Sequence, residues 1–123
     1  MLLNLDTHIW IDLLAGNLSP SERKKIESSE VSISSIVLWE MAKLVQLKRL
    51  EVDLESREFK MALTQITIWP ITREIAIQST QLDIKSDPAD EIISATSIVH
   101  EVPLLTRDKL LLKSKKIPLA FKF

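Results

Sequence analysis

Four acidic residues stand where a strand-like run gives way to a helix-like one: Asp6, Glu40, Asp90 and Asp108. Each alone has an ordinary structural use. Asp is a preferred helix cap, which suits Asp6 and Asp108. Asp90, three residues beyond Asp87, suits the positive end of a helix. Glu40 could pair with Lys43 one turn on. Together they read differently, because four carboxylates brought to one edge repel one another unless a cation offsets them. Mg²⁺ or Mn²⁺ answers that need: both take oxygen ligands in octahedral geometry and keep several waters. An ion held this way can lower the pKa of water, orient it in line with a phosphodiester and neutralise charge on the leaving oxygen. The chemistry to which these residues point is phosphodiester hydrolysis.

The elements that must position them follow from periodicity. Met1 to Leu5 reads as a strand and Thr7 to Leu14 as a helix, with Ile9, Trp10, Leu13 and Leu14 at helical spacing. Ser19, Pro20 and Glu22 supply a cap, a first-turn proline and a capping-box acid for a short second helix. Val31 to Ser34 alternates as a strand, and Ser34 or Ser35 caps a helix over about 36–47. Leu54 to Ile66 predicts a helix, Thr67 to Ile71 an extended run around Pro70, and Thr72 to Leu82 another helix. Asp87 caps a helix that opens at Pro88 and runs to about Val99. Leu104 and Leu105 form a short buried strand, Asp108 to Lys113 a helical turn, and Leu119 to Phe123 a candidate closing strand. The alternation predicts an α/β fold with a mostly parallel sheet covered on both faces. In such sheets ligands bind beyond the carboxyl ends of the strands, where all four acids fall.

Composition narrows the function. The 123 residues carry 16 Lys+Arg against 17 Asp+Glu, with 46% apolar positions, which matches one ordinary globular domain over 1–123. There is no cysteine, so thiol chemistry and cysteine zinc sites are excluded. The single glycine, Gly16, excludes a Gly-rich phosphate cradle. No uncharged run approaches the ~18 apolar residues of a spanning helix, and Met1 to Leu5 meets Asp6 too soon for a signal-peptide core, so a cytoplasmic protein without a membrane partner is expected. Net charge of −1 argues against binding polyanions by bulk charge. It conceals a gradient, however: Arg107 to Phe123 holds six basic residues and one acid, a local +5, against −6 elsewhere. That segment is either a solvated face or a rim that tracks phosphates.

The segments Leu5-Asp6-Thr7-His8, Ser35 to Ala42, Asp87-Pro88-Ala89-Asp90 and Leu104-Leu105-Thr106-Arg107-Asp108 resemble, in order and spacing, those of the PIN-domain ribonucleases, in particular the VapC-type toxins of toxin–antitoxin pairs. The resemblance covers nearly the whole chain. It implies a three-layer α/β/α PIN-like domain, with Asp6, Glu40, Asp90 and Asp108 as the catalytic acids and Asp6, Asp90 and Asp108 as the main metal ligands. Thr106 would line the same cleft beside Thr7. Implied with them are Mg²⁺ or Mn²⁺, an RNA substrate such as tRNA, a homodimer, and a small antitoxin that blocks the acidic cleft. The turn Leu47-Lys48-Arg49-Leu50 lacks the glycine that many relatives carry.

Other candidates have competing uses. His8 could touch substrate or act as a base, although packing is the simpler role, since metal-activated water needs no separate base. Asp87 is read as a cap that could also hydrogen-bond a metal's water. Arg107 heads the basic segment and could reach substrate. Trp10, Trp39 and Trp69 suit core or dimer packing better than base stacking, and His100 a helix C-terminal charge or a surface position. Two other functions compete: a noncatalytic module whose acids only cap helices, and an aspartyl phosphatase, which would want an aspartate where His8 stands.

Overall fold

The computed structural model describes residues 1–121, so Lys122 and Phe123 of the basic segment and of the expected closing strand lie outside the described residues. Eleven elements alternate along the described chain. They are β1 (Leu2–Leu5), α1 (Thr7–Ala15), α2 (Pro20–Glu27), β2 (Glu30–Ser34), α3 (Ile36–Gln46), α4 (Arg57–Thr64), β3 (Thr67–Trp69), α5 (Arg73–Ser79), α6 (Pro88–His100), β4 (Leu104–Leu105) and α7 (Lys109–Leu112). The strands form one sheet in the order β3-β2-β1-β4, and every pairing is parallel. The expected mostly parallel sheet is thus wholly parallel.

Both faces of β1 are covered. Leu3 and Leu5 are fully buried and join Ile9, Trp10, Ile33, Val37, Met41, Ile93, Leu104 and Leu105 in the main core, where each such side chain contributes roughly 1.5–3 kcal/mol by leaving water. Asn4 points to the opposite face, because side chains alternate along a strand. There its Nδ2 donates to Ile93 O at 3.1 Å and Ser97 Oγ at 2.9 Å on α6. These two bonds fix α6 against the central strand.

The chain leaves β1 towards β2 and β3 on one side and returns to β4 on the other. The crevice beyond the carboxyl ends of β1 and β4 is therefore the point where strand order reverses. Asp6 follows one of these strands and Asp108 the other.

Several boundaries differ from the periodicity reading, each for a local reason. The helix expected over 54–66 begins at Arg57, because Ser56 Oγ accepts from Phe59 N at 3.1 Å and Asp53 has already turned the chain by accepting from Glu55 N. The helix expected over 72–82 ends at Ser79, while Thr72 caps it as expected. Of the two serines offered as caps for α3, Ser34 makes the contact, its Oγ accepting from Ile36 N at 3.3 Å, whereas Ser35 has helical backbone angles and makes no cap hydrogen bond. Among the described residues of the C-terminal end, Leu119 meets the sheet in a parallel bridge to Leu104, with Leu104 N donating to Pro118 O at 2.8 Å and Ala120 N donating to Leu104 O at 2.9 Å.

Candidate active site

One cleft of about 420 Å³ is lined by Asp6, Glu40, Asp87, Asp90 and Asp108, together with Thr7, His8, Ile9 and Arg107. The four acids singled out from the sequence are brought together by four different elements. Asp6 caps α1, Glu40 lies one turn into α3, Asp90 stands in the first turn of α6, and Asp108 caps α7. Parallel strands place all these helix starts at one end of the sheet, so the convergence follows from topology.

Asp6 is the most enclosed, at 6% exposure. Its Oδ1 accepts from Thr7 N at 2.9 Å and its Oδ2 from Thr106 Oγ1 at 2.6 Å. Thr106 Oγ1 in turn accepts from Asp108 N at 3.0 Å, so one hydroxyl ties the first acid to the loop that carries the last. Asp108 Oδ1 accepts from Leu110 N at 2.8 Å and also takes Leu111 N. Capping and cleft-lining thus coincide at Asp6 and at Asp108, rather than competing. A carboxylate oxygen with two acceptor sites can serve a helix start and still face the cleft.

Glu40 does not pair with Lys43. Its Oε1 accepts from Thr7 Oγ1, while Lys43 Nζ donates to Gln46 Oε1 at 3.4 Å and lies 5.8 Å over the Trp39 ring. Burial raises the Glu40 carboxyl above its ordinary value; the Thr7 hydrogen bond opposes this and the neighbouring Asp6 charge adds to it. Asp90 is pushed up to about 6, first by burial and then by the charge of Asp6, with Glu40 and Asp108 adding to it and Ser86 Oγ, donating at 3.0 Å to Oδ2, opposing it. Two carboxyls that resist ionisation, first through burial and then through neighbouring negative charge, mark a site where a cation would favour the charged forms.

Among the described residues, no three acidic or histidine side chains are gathered tightly enough to enclose one ion as they stand. The donor set nonetheless fits a hard divalent cation: the acids around the cleft offer only oxygen, and such an ion is commonly held by one or two carboxylates with the remaining positions filled by water. Asp6, Asp90 and Asp108 are the residues that could supply those carboxylates, with Glu40 and Asp87 in reach of the same cleft.

Other expected roles change. Asp87 occupies the cap position of α6 but makes no cap hydrogen bond, leaving its carboxylate exposed at the cleft. His8 is exposed in the cleft rather than packed. Arg107 is bound within the protein: Nε and Nη2 donate to Glu22 at 2.7 Å each, and Nη1 pairs with Asp12. The fork holds the Glu22 carboxyl down to about 2, chiefly through the Arg107 hydrogen bonds. Trp10 is core, but Trp39 is 54% exposed. His100 stands in the last turn of α6 as expected, but it is half-buried rather than a surface residue and stacks on Trp69, with ring centroids 4.0 Å apart. The sequence reading missed Ser86 as a partner of Asp90 and Glu22 as a partner of Arg107. Glu22 was visible only as a capping-box acid, a role it also fills through Ser19 N at 2.9 Å.

A central parallel sheet with acids gathered at its switch point is the architecture of a PIN-like fold, and known proteins agree. The family model of the PIN domain matches residues 4–116, and the chain belongs to that family. Ribonuclease VapC22 of Mycobacterium tuberculosis is 28% identical over 111 residues, 85% of either chain. A toxin–antitoxin complex from Klebsiella pneumoniae superposes with a TM-score of 0.72 at 25% identity, over 98% of this chain and 99% of that one. VapBC2 of Rickettsia felis, bound to a DNA fragment from its promoter, gives 0.73 at 18% identity over 97% of each chain.

Proposed function

We propose that this chain, as one PIN domain over residues 1–123, is a divalent-metal-dependent endoribonuclease and the toxin of a VapBC-like pair, hydrolysing phosphodiester bonds in structured RNA such as tRNA. The observation that carries the reading is the single cleft lined by Asp6, Glu40, Asp90 and Asp108. Similarity to a curated ribonuclease and to toxin–antitoxin complexes supports it. The similarity to toxin–antitoxin complexes supports a small antitoxin as partner, and the working form proposed with it is a homodimer. No helix of the described residues is long and apolar enough to cross a membrane, which accords with a cytoplasmic site of action.

Bound Mg²⁺ or Mn²⁺ would supply the positive charge that activates water and offsets the phosphate. The protein's own groups divide the remaining work. Thr106 Oγ1 and Thr7 N aim Asp6, each donating to one of its two carboxylate oxygens. Thr7 Oγ1 orients Glu40 across the cleft. Asp90 and Asp108 line the same cleft, the first steadied by Ser86 and the second by the start of α7. Exposed His8 and Asp87 stand where substrate would pass.

The test is direct. Purified protein cleaves RNA with Mg²⁺ or Mn²⁺ and stops with chelator, and Asp6→Asn lowers the rate by at least about 100-fold, the scale of one lost electrostatic group, with unchanged circular dichroism. Cleavage that survives both chelator and Asp6→Asn would refute the mechanism. Binding of RNA without cleavage would favour a noncatalytic module.

A further inference from the structure

The cleft presents a charge problem to the substrate class assigned above. Five carboxylates line it, and its one guanidinium is occupied by Glu22 and Asp12. A single divalent ion offsets two charges at the reacting phosphate. Phosphates on either side of it lie within a Debye length, about 8 Å at physiological salt, of the remaining carboxylates. A polyanion can cross such a cleft only if cations stand beside it.

Two segments adjoining the cleft carry exposed lysines. Lys85 lies just before Asp87 and Asp90, while Lys109, Lys113 and Lys115 follow Asp108. The segments are fastened together: Asp83 Oδ1 accepts from Ser114 Oγ at 2.5 Å, Asp83 Oδ2 accepts from Lys115 N at 2.7 Å, and Lys116 Nζ donates to Gln81 O at 2.6 Å. Buried Ser114 further fixes the turn by accepting from Lys116 N and Ile117 N at 3.1 Å. Asp83, the one acid between Gln81 and Ser86, is thus used for construction. Among the described residues the only ion pairs are those of Arg107, so Lys85, Lys109, Lys113 and Lys115 carry uncompensated charge on a fixed backbone.

We propose that Lys85, Lys109, Lys113 and Lys115 form a phosphate-tracking ridge that guides a single RNA strand out of the acidic cleft along its α6–α7 side. The proposal rests on the ribonuclease reading for the strand that enters the cleft. RNA is favoured over an acidic peptide because the ridge is continuous in sequence with Asp90 and Asp108, two acids of the cleft assigned to RNA cleavage.

The probe is a fluorescein-labelled 12-nucleotide uridine oligomer, bound in chelator so that no cleavage intervenes. Lys109→Gln, Lys113→Gln and Lys115→Gln combined are compared with Arg23→Gln, Lys24→Gln and Lys60→Gln combined, an equal charge change on α2 and α4. The ridge variant is expected to bind about tenfold more weakly, and its slope of log affinity against log salt to shrink by about 2, at roughly 0.7 per single-strand phosphate contact. The α2/α4 variant keeps the wild-type slope. In cleavage assays the ridge loss falls on KM. Equal weakening in both variants would leave only bulk charge and overturn the ridge, as would a wild type that fails to bind the oligomer. If poly-L-glutamate loses affinity on ridge substitution while the oligomer does not, the site belongs to an acidic peptide and the proposal fails. Cleavage that stays metal-dependent with an unaltered KM would sink the ridge and leave the nuclease standing, whereas oligomer binding without metal-dependent cleavage would do the reverse.

Discussion

Asp90 concentrates the electrostatics of the cleft in one side chain. Its ordinary value of 3.8 rises to about 6 through burial and the charge of Asp6. Between those pH values the folded chain holds a proton that the unfolded chain has released, so metal-free stability falls as pH rises through the window. Asp90→Asn removes the cost. Urea unfolding in chelator is expected to give the variant equal stability to wild type near pH 4 and about 1–2 kcal/mol more at pH 7, a share of what the shift implies at 1.36 kcal/mol per unit. An identical difference at both pH values would mean that Asp90 is not held against ionisation. The substitution is also expected to abolish RNA cleavage, so stability is traded for function at this position. In the sequence Asp90 could be picked out by its place in a helix start, but the Ser86 contact could not, because a serine ahead of a helix usually serves as a cap or lies in solvent.

At the scale of elements, the strand and helix sequence was legible almost throughout. Hydrophobic period and cap chemistry are local properties, and Ser19-Pro20-Ser21-Glu22 forms the capping box that its spacing predicts. What local pattern could not supply was the length of α4 and α5, which is decided by capping at Ser56 and by the tight turn at Thr80, whose N–H donates to Ile77 O at 3.1 Å. The turn after α3 shows the same limit. Without glycine, Lys48 itself adopts the left-handed conformation, at φ 58°. A side chain there costs about 1–2 kcal/mol, part of which glycine returns through its freer unfolded chain. Lys48→Gly is accordingly expected to stabilise the protein by about 0.5–1 kcal/mol in urea unfolding, with RNA cleavage unchanged. Lys48→Ala, which keeps the strain, should give no such gain.

At the scale of the molecule, the cleft depends on contacts between distant parts of the chain, which is why its acids could be named from sequence while their supports could not. The Arg107 fork joins the loop after β4 to α1 across 95 residues and to α2 across 85. Arg107→Ala leaves the nearly buried Glu22 without its partner, and loss of a charged hydrogen-bonded pair of this kind costs about 2 kcal/mol. Urea unfolding at pH 7 checks the figure. The loss should diminish as pH falls below 4.5, since Glu22, held near 2 in the folded protein, keeps its advantage only above its unfolded value.

The hydroxyl of Thr106 meets the carboxylate of Asp6 across 100 residues of chain. During synthesis Asp6 is made 100 residues ahead of Thr106, and Asp108 follows close behind. A growing chain that has already paired β1 with β2 and β3 therefore carries an open, three-walled version of the cleft until β4 arrives. The ability to cut RNA is expected to appear only after β4 and Asp108 have joined the earlier elements.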